Sequence, residues 1–198
     1  LAAQDNIQVM NLSTPAQLFH CLRRHAHRPI RKPMIIMTPK SLLRAKRAVS
    51  TLEDLSEGHF QKVIREEQTC EPDKLRRIVF CTGKLFYDLQ AAKEESGLTD
   101  VAIHRVEQLY PIPESELHDI LASHSEDIPV YWAQEEPVNM GAWWHLQMRL
   151  RKPEARKSFF DGVFARNESA SPATGSHSAH KIEQQDLIQR ALGLNATH

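Results

Sequence analysis

The chain has 198 residues, of which 41% are apolar and 25% are charged, as in an ordinary globular protein with room for one domain and part of another. Lys plus Arg and Asp plus Glu number 25 each, so the net charge favours neither a nucleic acid nor an anionic membrane as partner. No apolar run approaches the roughly 20 residues of a membrane span. We therefore expect no nucleic-acid partner and no membrane partner.

Three widely spaced cysteines, Cys21, Cys70 and Cys81, form no CxxC pair. This odd set fits a reducing compartment better than a secreted disulfide framework. The start of the chain lacks the basic and apolar regions of a secretory signal. The first residue is Leu1 rather than Met, so we expect the sequence to be part of a longer protein.

The first 38 residues predict a strand, a helix and a second strand. Residues 6–12 alternate as a strand should, and residues 34–38 form a short apolar run typical of a buried parallel strand. Between them, Thr14 is placed as an N-cap, Pro15 as the first helical residue and Gln17 as the third position of a capping box. Apolar residues then follow at the spacing of an amphipathic helix: Leu18, Phe19, Leu22 and Ala26.

Residues 39–72 are charged and carry only short helical signals, at 51–55 and 60–64. We interpret them as a connecting segment with small surface helices rather than as a catalytic region.

A second series of alternating strands and helices begins near residue 75. Predicted strands cover 78–82, 101–109, 128–133 and 162–165, predicted helices cover 84–96, 117–124, 143–150 and 183–192, and a turn-rich loop covers 167–181. This alternation predicts an α/β fold with a mostly parallel sheet. The predicted core consists of Ile78, Val79, Phe80, Val101, Ile103, Val130 and Trp132.

Two adjacent carboxylates, Glu135 and Glu136, follow the third strand of this series, where open α/β sheets place their ligands. Neighbours on an extended segment point to opposite faces, so they make a poor proton-transfer pair. A boundary loop held by hydrogen bonds between carboxylates and backbone is the favoured interpretation.

Other candidate sites give weaker signals. Thr82 to Lys84, "TGK", lies between a strand and a helix, where a helix N-terminus can hold phosphate, but the spacing is not that of a P-loop and a tight turn is favoured. The pairs His25/His27 and His177/His180 lack partners at metal-ligand spacing. We therefore predict no metal site and no catalytic residue in this chain.

Basic residues cluster on and after the first helix. They are Arg23, Arg24, Arg28, Arg31, Lys32, Lys40 and Arg44. A solvated helix face is the simpler interpretation, and a phosphate-bearing partner is the alternative.

Four stretches, in this order, resemble one known family: "NLSTPAQLFHCLRRHAHRPIRKPMIIMTPKSLLR", "VFCTGKLFYDL", "VAIHRVEQLYPIP" and "AQEEPVNMGAW". They are similar to the carboxyl-terminal part of the thiamine-diphosphate-dependent 2-oxoglutarate dehydrogenases, and "SASPATG" followed by "HKIEQQDLI" extends the resemblance over nearly the whole chain. Jointly these motifs are specific, although no single one is.

The resemblance implies a fold and a division of the chain. Residues 1–44 would be the last β-α-β unit of a transketolase-like pyrimidine-binding module, 45–75 a connecting helical segment, and 76–198 a third α/β module of three layers. The resemblance also implies that thiamine diphosphate and Mg²⁺ bind outside this chain, and that "AQEEPVNMGAW" builds a strand-end loop and dimer contacts.

The resemblance further implies a homodimer that decarboxylates 2-oxoglutarate and passes the succinyl unit to a lipoyl-bearing succinyltransferase. A nucleotide or acyl-CoA effector would place its phosphates on Arg24, Lys40 and Lys74. The closely similar 2-oxoadipate dehydrogenase and a free-standing, non-catalytic α/β interaction module remain alternatives. The compartment is a bacterial cytoplasm or a mitochondrial matrix.

Overall fold

The computed structural model describes residues 1–66, 74–150 and 158–194. No helix within these ranges is long and apolar enough to cross a membrane. In chain order the elements are β1 (Gln8–Asn11), α1 (Pro15–His27), β2 (Met34–Met37), a 3-10 helix (Lys40–Arg44), α2 (Leu52–Ser56), β3 (Val63–Ile64), β4 (Arg77–Cys81), α3 (Leu85–Glu95), β5 (Val101–Val106), β6 (Gln108–Tyr110), α4 (Glu114–Ala122), β7 (Val130–Pro137), α5 (Trp143–Arg149), β8 (Gly162–Arg166) and α6 (His177–Leu192).

A five-stranded sheet in the order β3-β5-β4-β7-β8 forms the larger part of the fold. Its strands are parallel except β3, which runs antiparallel to β5. Because side chains alternate along a strand, Ile78 and Phe80 face α4 and α5, whereas Val79 and Cys81 face α3 and α6. The three layers and the mostly parallel sheet confirm the predicted fold class. All seven predicted core residues are buried.

A three-stranded sheet in the order β2-β1-β6 holds the amino-terminal unit. β1 and β2 are parallel and joined by α1, whereas β6 runs antiparallel to β1 and pairs Met10 with Gln108. The single strand predicted over residues 101–109 is therefore wrong. Strand β5 ends at Val106, and the chain then enters the other sheet as β6.

The buried carboxylate of Glu107 lies where the chain passes from one sheet to the other. It accepts hydrogen bonds from the backbone nitrogen of Ser13 at 2.8 Å and from its hydroxyl at 2.5 Å. Arg105 donates to the Ser13 hydroxyl at 3.1 Å, and the Tyr87 hydroxyl donates to the Ser13 carbonyl at 2.7 Å. Burial raises the pKa of Glu107, although the Ser13 hydrogen bonds oppose this. This cluster fastens the start of α1 to the larger sheet.

Helix α1 begins as predicted, but its partners differ. The Thr14 hydroxyl accepts from the backbone nitrogen of Gln17 at 3.2 Å, which confirms the N-cap. The Gln17 side chain does not complete a capping box, because its amide binds the backbone carbonyl and nitrogen of Gln61 at 2.6 and 3.1 Å. Gln17 thereby ties the helix to the connecting segment.

The apolar stripe of α1 faces outward, contrary to what an amphipathic helix leads one to expect. Leu18, Phe19 and Leu22 are 40%, 46% and 49% exposed, whereas the face toward the sheet buries residues such as His20 and Cys21. The described part of the chain thus leaves an apolar helix face uncovered.

One further predicted element and one predicted helix start are also wrong. Residues 60–64 do not start a helix, because Val63 and Ile64 pair with β5 as strand β3. Helix α6 begins at His177, earlier than predicted, because the Ser176 hydroxyl accepts from the backbone nitrogen of Ala179 and caps it.

Candidate functional site

The adjacent carboxylates of "AQEEPVNMGAW" lie within β7, which continues past the predicted end at residue 133. The Glu135 carboxylate lies 2.9 Å from the Lys84 ammonium, which also contacts Asp88 at 2.5 Å. Glu136 points elsewhere and lines a crevice on the other side of the strand. The two carboxylates therefore do not act together on one proton.

Gln134, rather than either glutamate, holds the turn after β7. Its side-chain oxygen accepts from the Trp132 indole nitrogen and from the Trp143 backbone nitrogen, each at 3.0 Å. Its side-chain nitrogen donates to the carbonyls of Pro137 at 3.1 Å and Met140 at 2.7 Å. The expectation of a loop held by carboxylate-backbone hydrogen bonds is thus wrong in its chemistry, since an amide both donates and accepts.

The "TGK" stretch forms the favoured tight turn. Gly83 has a φ of 58°, and a Cβ there would stand 2.3 Å from the Asn11 side-chain oxygen, so glycine is required. Burial alone would lower the pKa of Lys84, but Glu135 and Asp88 outweigh it and raise that pKa. The Lys84 ammonium forms ion pairs with two carboxylates, which neutralise its charge, so it is poorly placed to bind a phosphate.

A crevice of about 310 Å³ lies between the two sheets, and we name it the inter-sheet crevice. Its lining comprises Ala2, Val9, Met37, Thr82, Leu109, Tyr110, Trp132, Gln134, Glu136, Gly141, Ala142 and His145. Apolar and aromatic side chains form most of its walls. The sequence did not reveal it, because its walls come from segments as far apart as Ala2 and His145, which only the packing of the two sheets brings together.

Arg24 lies at the end of α1, against the start of β1. Its guanidinium donates to Gln108 at 2.9 Å and lies 3.9 Å from the centre of the Phe60 ring. Burial and the neighbouring Arg28 charge lower the pKa of Arg24. Much of its hydrogen-bonding and stacking capacity is therefore used inside the fold.

The other two predicted effector residues lie elsewhere. Lys40 is exposed at the start of the 3-10 helix, beyond the carboxyl end of β2. Because β1 and β2 are parallel and pair Gln8 with Met34, Arg24 stands near the opposite end of β2. The surface residue Lys74 precedes β4. The structure thus does not bring Arg24 and Lys40 to one point.

Histidines and cysteines show no metal-binding arrangement. Among residues 1–66, 74–150 and 158–194, no group of three or more His, Cys, Asp or Glu side chains could hold a metal ion. His180 instead contacts the Arg166 guanidinium at 3.0 Å. Cys21 and Cys81 are buried free thiols, and burial raises the pKa of each. Cys70 falls outside the described residues.

A polar network that the sequence did not predict links α6 to β7. Arg166 donates to the Gln184 side-chain oxygen at 2.9 Å, and Gln184 donates to Asp88 at 2.9 Å. Asp88 in turn contacts Lys84, the partner of Glu135. The strand-end region of Glu135 is therefore coupled to the "SASPATG" loop, which Arg166 contacts through Thr174.

The protein is of the mostly parallel α/β class, with an amino-terminal unit like that of the transketolases. Residues 1–46 match the family model of the transketolase pyrimidine binding domain, and residues 49–192 match that of the 2-oxoglutarate dehydrogenase C-terminal. The chain belongs to the 2-oxoglutarate dehydrogenase C-terminal family.

Relatives in several bacteria support this membership. The chain is 46% identical over 194 residues to the 2-oxoglutarate dehydrogenase E1 component of Azotobacter vinelandii, with 97% of this chain and 21% of the relative covered. It is 42% identical over 194 residues to that of Cupriavidus necator, covering 97% and 20%, and 43% identical over 209 residues to that of Brucella anthropi, covering 98% and 20%. The chain thus spans about a fifth of the length of the curated relatives it matches.

Proposed function

We propose that this chain is the carboxyl-terminal portion of a 2-oxoglutarate dehydrogenase E1 component, an oxidoreductase of the tricarboxylic acid cycle. The whole enzyme would decarboxylate 2-oxoglutarate and transfer the succinyl unit to a lipoyl group on its succinyltransferase partner. Alignment of 97% of the chain with the Azotobacter vinelandii E1 component at 46% identity carries this proposal. Because the relatives cited are bacterial, we propose the bacterial cytoplasm as its compartment.

Within that enzyme we propose that the chain braces the pyrimidine-binding module and supports a homodimer. Residues 1–44 would end that module, 45–75 would connect, and 76–198 would form the third module. Two features support a bracing role: β6 completes the small sheet, and Glu107 fastens Ser13 to the larger one. The outward stripe of α1 is the surface we assign to contacts with the rest of the enzyme.

We propose that thiamine diphosphate and Mg²⁺ bind to other parts of the whole enzyme. The described residues offer no group of acidic, His or Cys side chains that fits a metal ion, and Lys84 is already paired with two carboxylates. When bound, the cofactor supplies the nucleophilic carbon, and the protein orients it. We assign no residue of this chain to either group.

A chimeric enzyme tests the proposal. The aligned carboxyl-terminal fifth of the Azotobacter vinelandii E1 component is replaced by this chain, and decarboxylation of 2-oxoglutarate and of 2-oxoadipate is measured with thiamine diphosphate and Mg²⁺. We expect turnover of 2-oxoglutarate by the chimera and none by the 198-residue chain alone. A folded, dimeric chimera without turnover, a preference for 2-oxoadipate, or turnover by the chain alone would overturn the assignment.

We also propose that Arg24, Lys40 and Lys74 hold the phosphates of an effector. Arg24 and Lys40 lie toward opposite ends of β2, at least ~10 Å apart along a strand that rises about 3.3 Å per residue. They cannot share one phosphate. An elongated effector with separated phosphates, such as an acyl-CoA, fits this spacing better than a mononucleotide.

Titration calorimetry of the chimera with acetyl-CoA and with AMP tests the effector proposal. Arg24→Ala and Lys40→Ala should each weaken acetyl-CoA binding about tenfold or more, because a charge-assisted contact contributes roughly 1.5–3 kcal/mol. Arg31→Ala, which removes an exposed cation from the same region, is the control. Binding of neither ligand, or equal effects of all three substitutions, would leave the cluster as a solvated face.

A further inference from the structure

The inter-sheet crevice lies at the point where the strand order of the larger sheet reverses. From β4 the chain adds β5 on one side and then β7 on the other, and open α/β sheets bind ligands beyond the carboxyl ends of the strands at such a point. Phe80 pairs with Trp132, so the part of β7 after Ala133 runs past the end of β4. Glu136 therefore lies beyond the end of β4, where its side chain lines the crevice instead of packing against the sheet.

The walls of the crevice suit a flat apolar body. Val9, Met37 and Leu109 contribute from the smaller sheet, and Trp132 and Ala142 from the larger module. A volume of about 310 Å³ at the junction of two modules lies at the lower end of the range for small-molecule sites. The space accommodates a single aromatic ring with one polar substituent.

Some polar groups that line the crevice already have hydrogen-bond partners, and others do not. The Tyr110 hydroxyl accepts from Asp5, the Thr82 hydroxyl donates to Val106, and the Gln134 amide holds the turn after β7. Within the described ranges, by contrast, the Glu136 carboxylate has no hydrogen-bond or ion-pair partner, and the Nε2 atom of His145 is buried without one. Two acceptors are thus available for a ligand.

The charge of the lining selects among ligands. Glu136 is the single charged side chain among the lining residues, and the positive charges of Arg149 and of the amino terminus act on His145 from outside this lining. A phosphate or carboxylate placed against Glu136 would meet a like charge. A cation would meet an opposite charge and the aromatic faces of Trp132 and Tyr110, which also attract cations.

We propose that the inter-sheet crevice binds a small organic cation, an aromatic amine or amidine, with its nitrogen donors on Glu136 and His145. This site differs from the proposed effector phosphate site, because its charge is opposite and Arg24 lies on the other face of the smaller sheet. Burial, the Arg149 charge and the charge of the amino terminus lower the pKa of His145, which favours the neutral imidazole that can accept a hydrogen bond. The proposal does not depend on the enzyme assignment.

Benzamidine is a suitable probe, because it joins a flat ring to a cationic pair of donors, and benzoate is its anionic counterpart of the same shape. Both are titrated into the full 198-residue chain while amide chemical shifts are followed by NMR. We expect saturable binding of benzamidine that shifts the signals of Val9, Gly141 and Ala142, and no saturable binding of benzoate.

The neighbouring glutamates supply matched variants. Glu136→Gln should weaken benzamidine binding about tenfold or more, whereas Glu135→Gln, which alters the carboxylate paired with Lys84, should leave it unchanged within twofold. Ala142→Leu, which fills the crevice, should abolish binding in a chain that retains its circular dichroism spectrum. Absence of benzamidine binding, equal binding of benzoate, or indifference to Glu136→Gln would overturn the proposal. If Glu136→Gln does not fold, the comparison of benzamidine with benzoate on the unaltered chain decides whether the crevice binds cations.

Discussion

Gln134 satisfies four groups with one uncharged side chain at the end of a buried strand. A carboxylate could accept from Trp132 and Trp143 but could not donate to the carbonyls of Pro137 and Met140. The residue is only 1% exposed, so water cannot replace these partners. The conformation of the turn that carries Glu136 and Ala142 therefore depends on an amide at this position.

Gln134→Ala should lower the free energy of unfolding by roughly 3 kcal/mol, because buried donors and acceptors lose their partners. Urea denaturation monitored by tryptophan fluorescence measures the loss. Glu135→Gln is the matched control, and it should cost less than about 1 kcal/mol because its ion pair with Lys84 is partly exposed. Equal losses for the two substitutions would contradict the role given to Gln134.

At the scale of elements, β4, β5 and β7 form the buried centre of the larger sheet. Ile103→Ala on β5 should lower the free energy of unfolding by about 2–5 kcal/mol, since it removes a fully buried side chain and leaves a cavity. Leu43→Ala, in the exposed 3-10 helix, is the control and should change stability by less than about 0.5 kcal/mol. A loss below about 0.5 kcal/mol for Ile103→Ala, in urea denaturation, would contradict its central position.

The link between β5 and β6 should make stability depend on pH through Glu107. Its pKa is raised above the ordinary value of 4.5 by burial. A raised carboxyl pKa stabilises the fold below the unfolded pKa, and this stabilisation is lost as the pH rises through the folded pKa.

Glu107→Gln removes this titration. The stability of the unaltered chain, measured relative to Glu107→Gln by urea denaturation, should therefore fall as the pH rises from about 4.5 toward neutrality. Asp127→Asn, at an exposed loop carboxylate, is the control. A difference between the chain and Glu107→Gln that stays constant over this range would show that Glu107 does not titrate there.

The sequence predicted the elements whose signals are local. Short apolar runs located β4 and β7, and Thr14 with Pro15 located the start of α1. The division of residues 101–110 between two sheets was not predictable, because the apolar pattern continues through Glu107 and only its contact with Ser13 shows the change. The inter-sheet crevice was missed for the same reason: Glu136 and His145 become a pair only through tertiary packing.

At the scale of the whole molecule, the outward stripe of α1 is the largest departure from what composition suggests. Leu18, Phe19 and Leu22 lie together on one helix face, and the described residues leave them 40%, 46% and 49% exposed. Contiguous apolar surface of this kind marks an interaction site or favours association.

The isolated chain should therefore self-associate at micromolar concentrations, and Leu18→Lys with Leu22→Lys should shift it toward the monomer. Sedimentation velocity measures the distribution. Leu43→Lys, at an exposed leucine outside the stripe, is the control and should leave the distribution unchanged. A monomeric chain, or equal effects of the stripe and control substitutions, would contradict this expectation.

The antiparallel pairing of Met10 with Gln108 also has a consequence for synthesis on the ribosome. Strand β6, the antiparallel partner of β1, is translated about a hundred residues after β1. At about 5–20 residues per second this delay lasts roughly 5–20 s. During that time the first β-α-β unit has neither its third strand nor the Glu107 anchor for Ser13. The nascent chain thus presents an unpaired edge of β1 beside an apolar helix face, which is the kind of surface that chaperones bind.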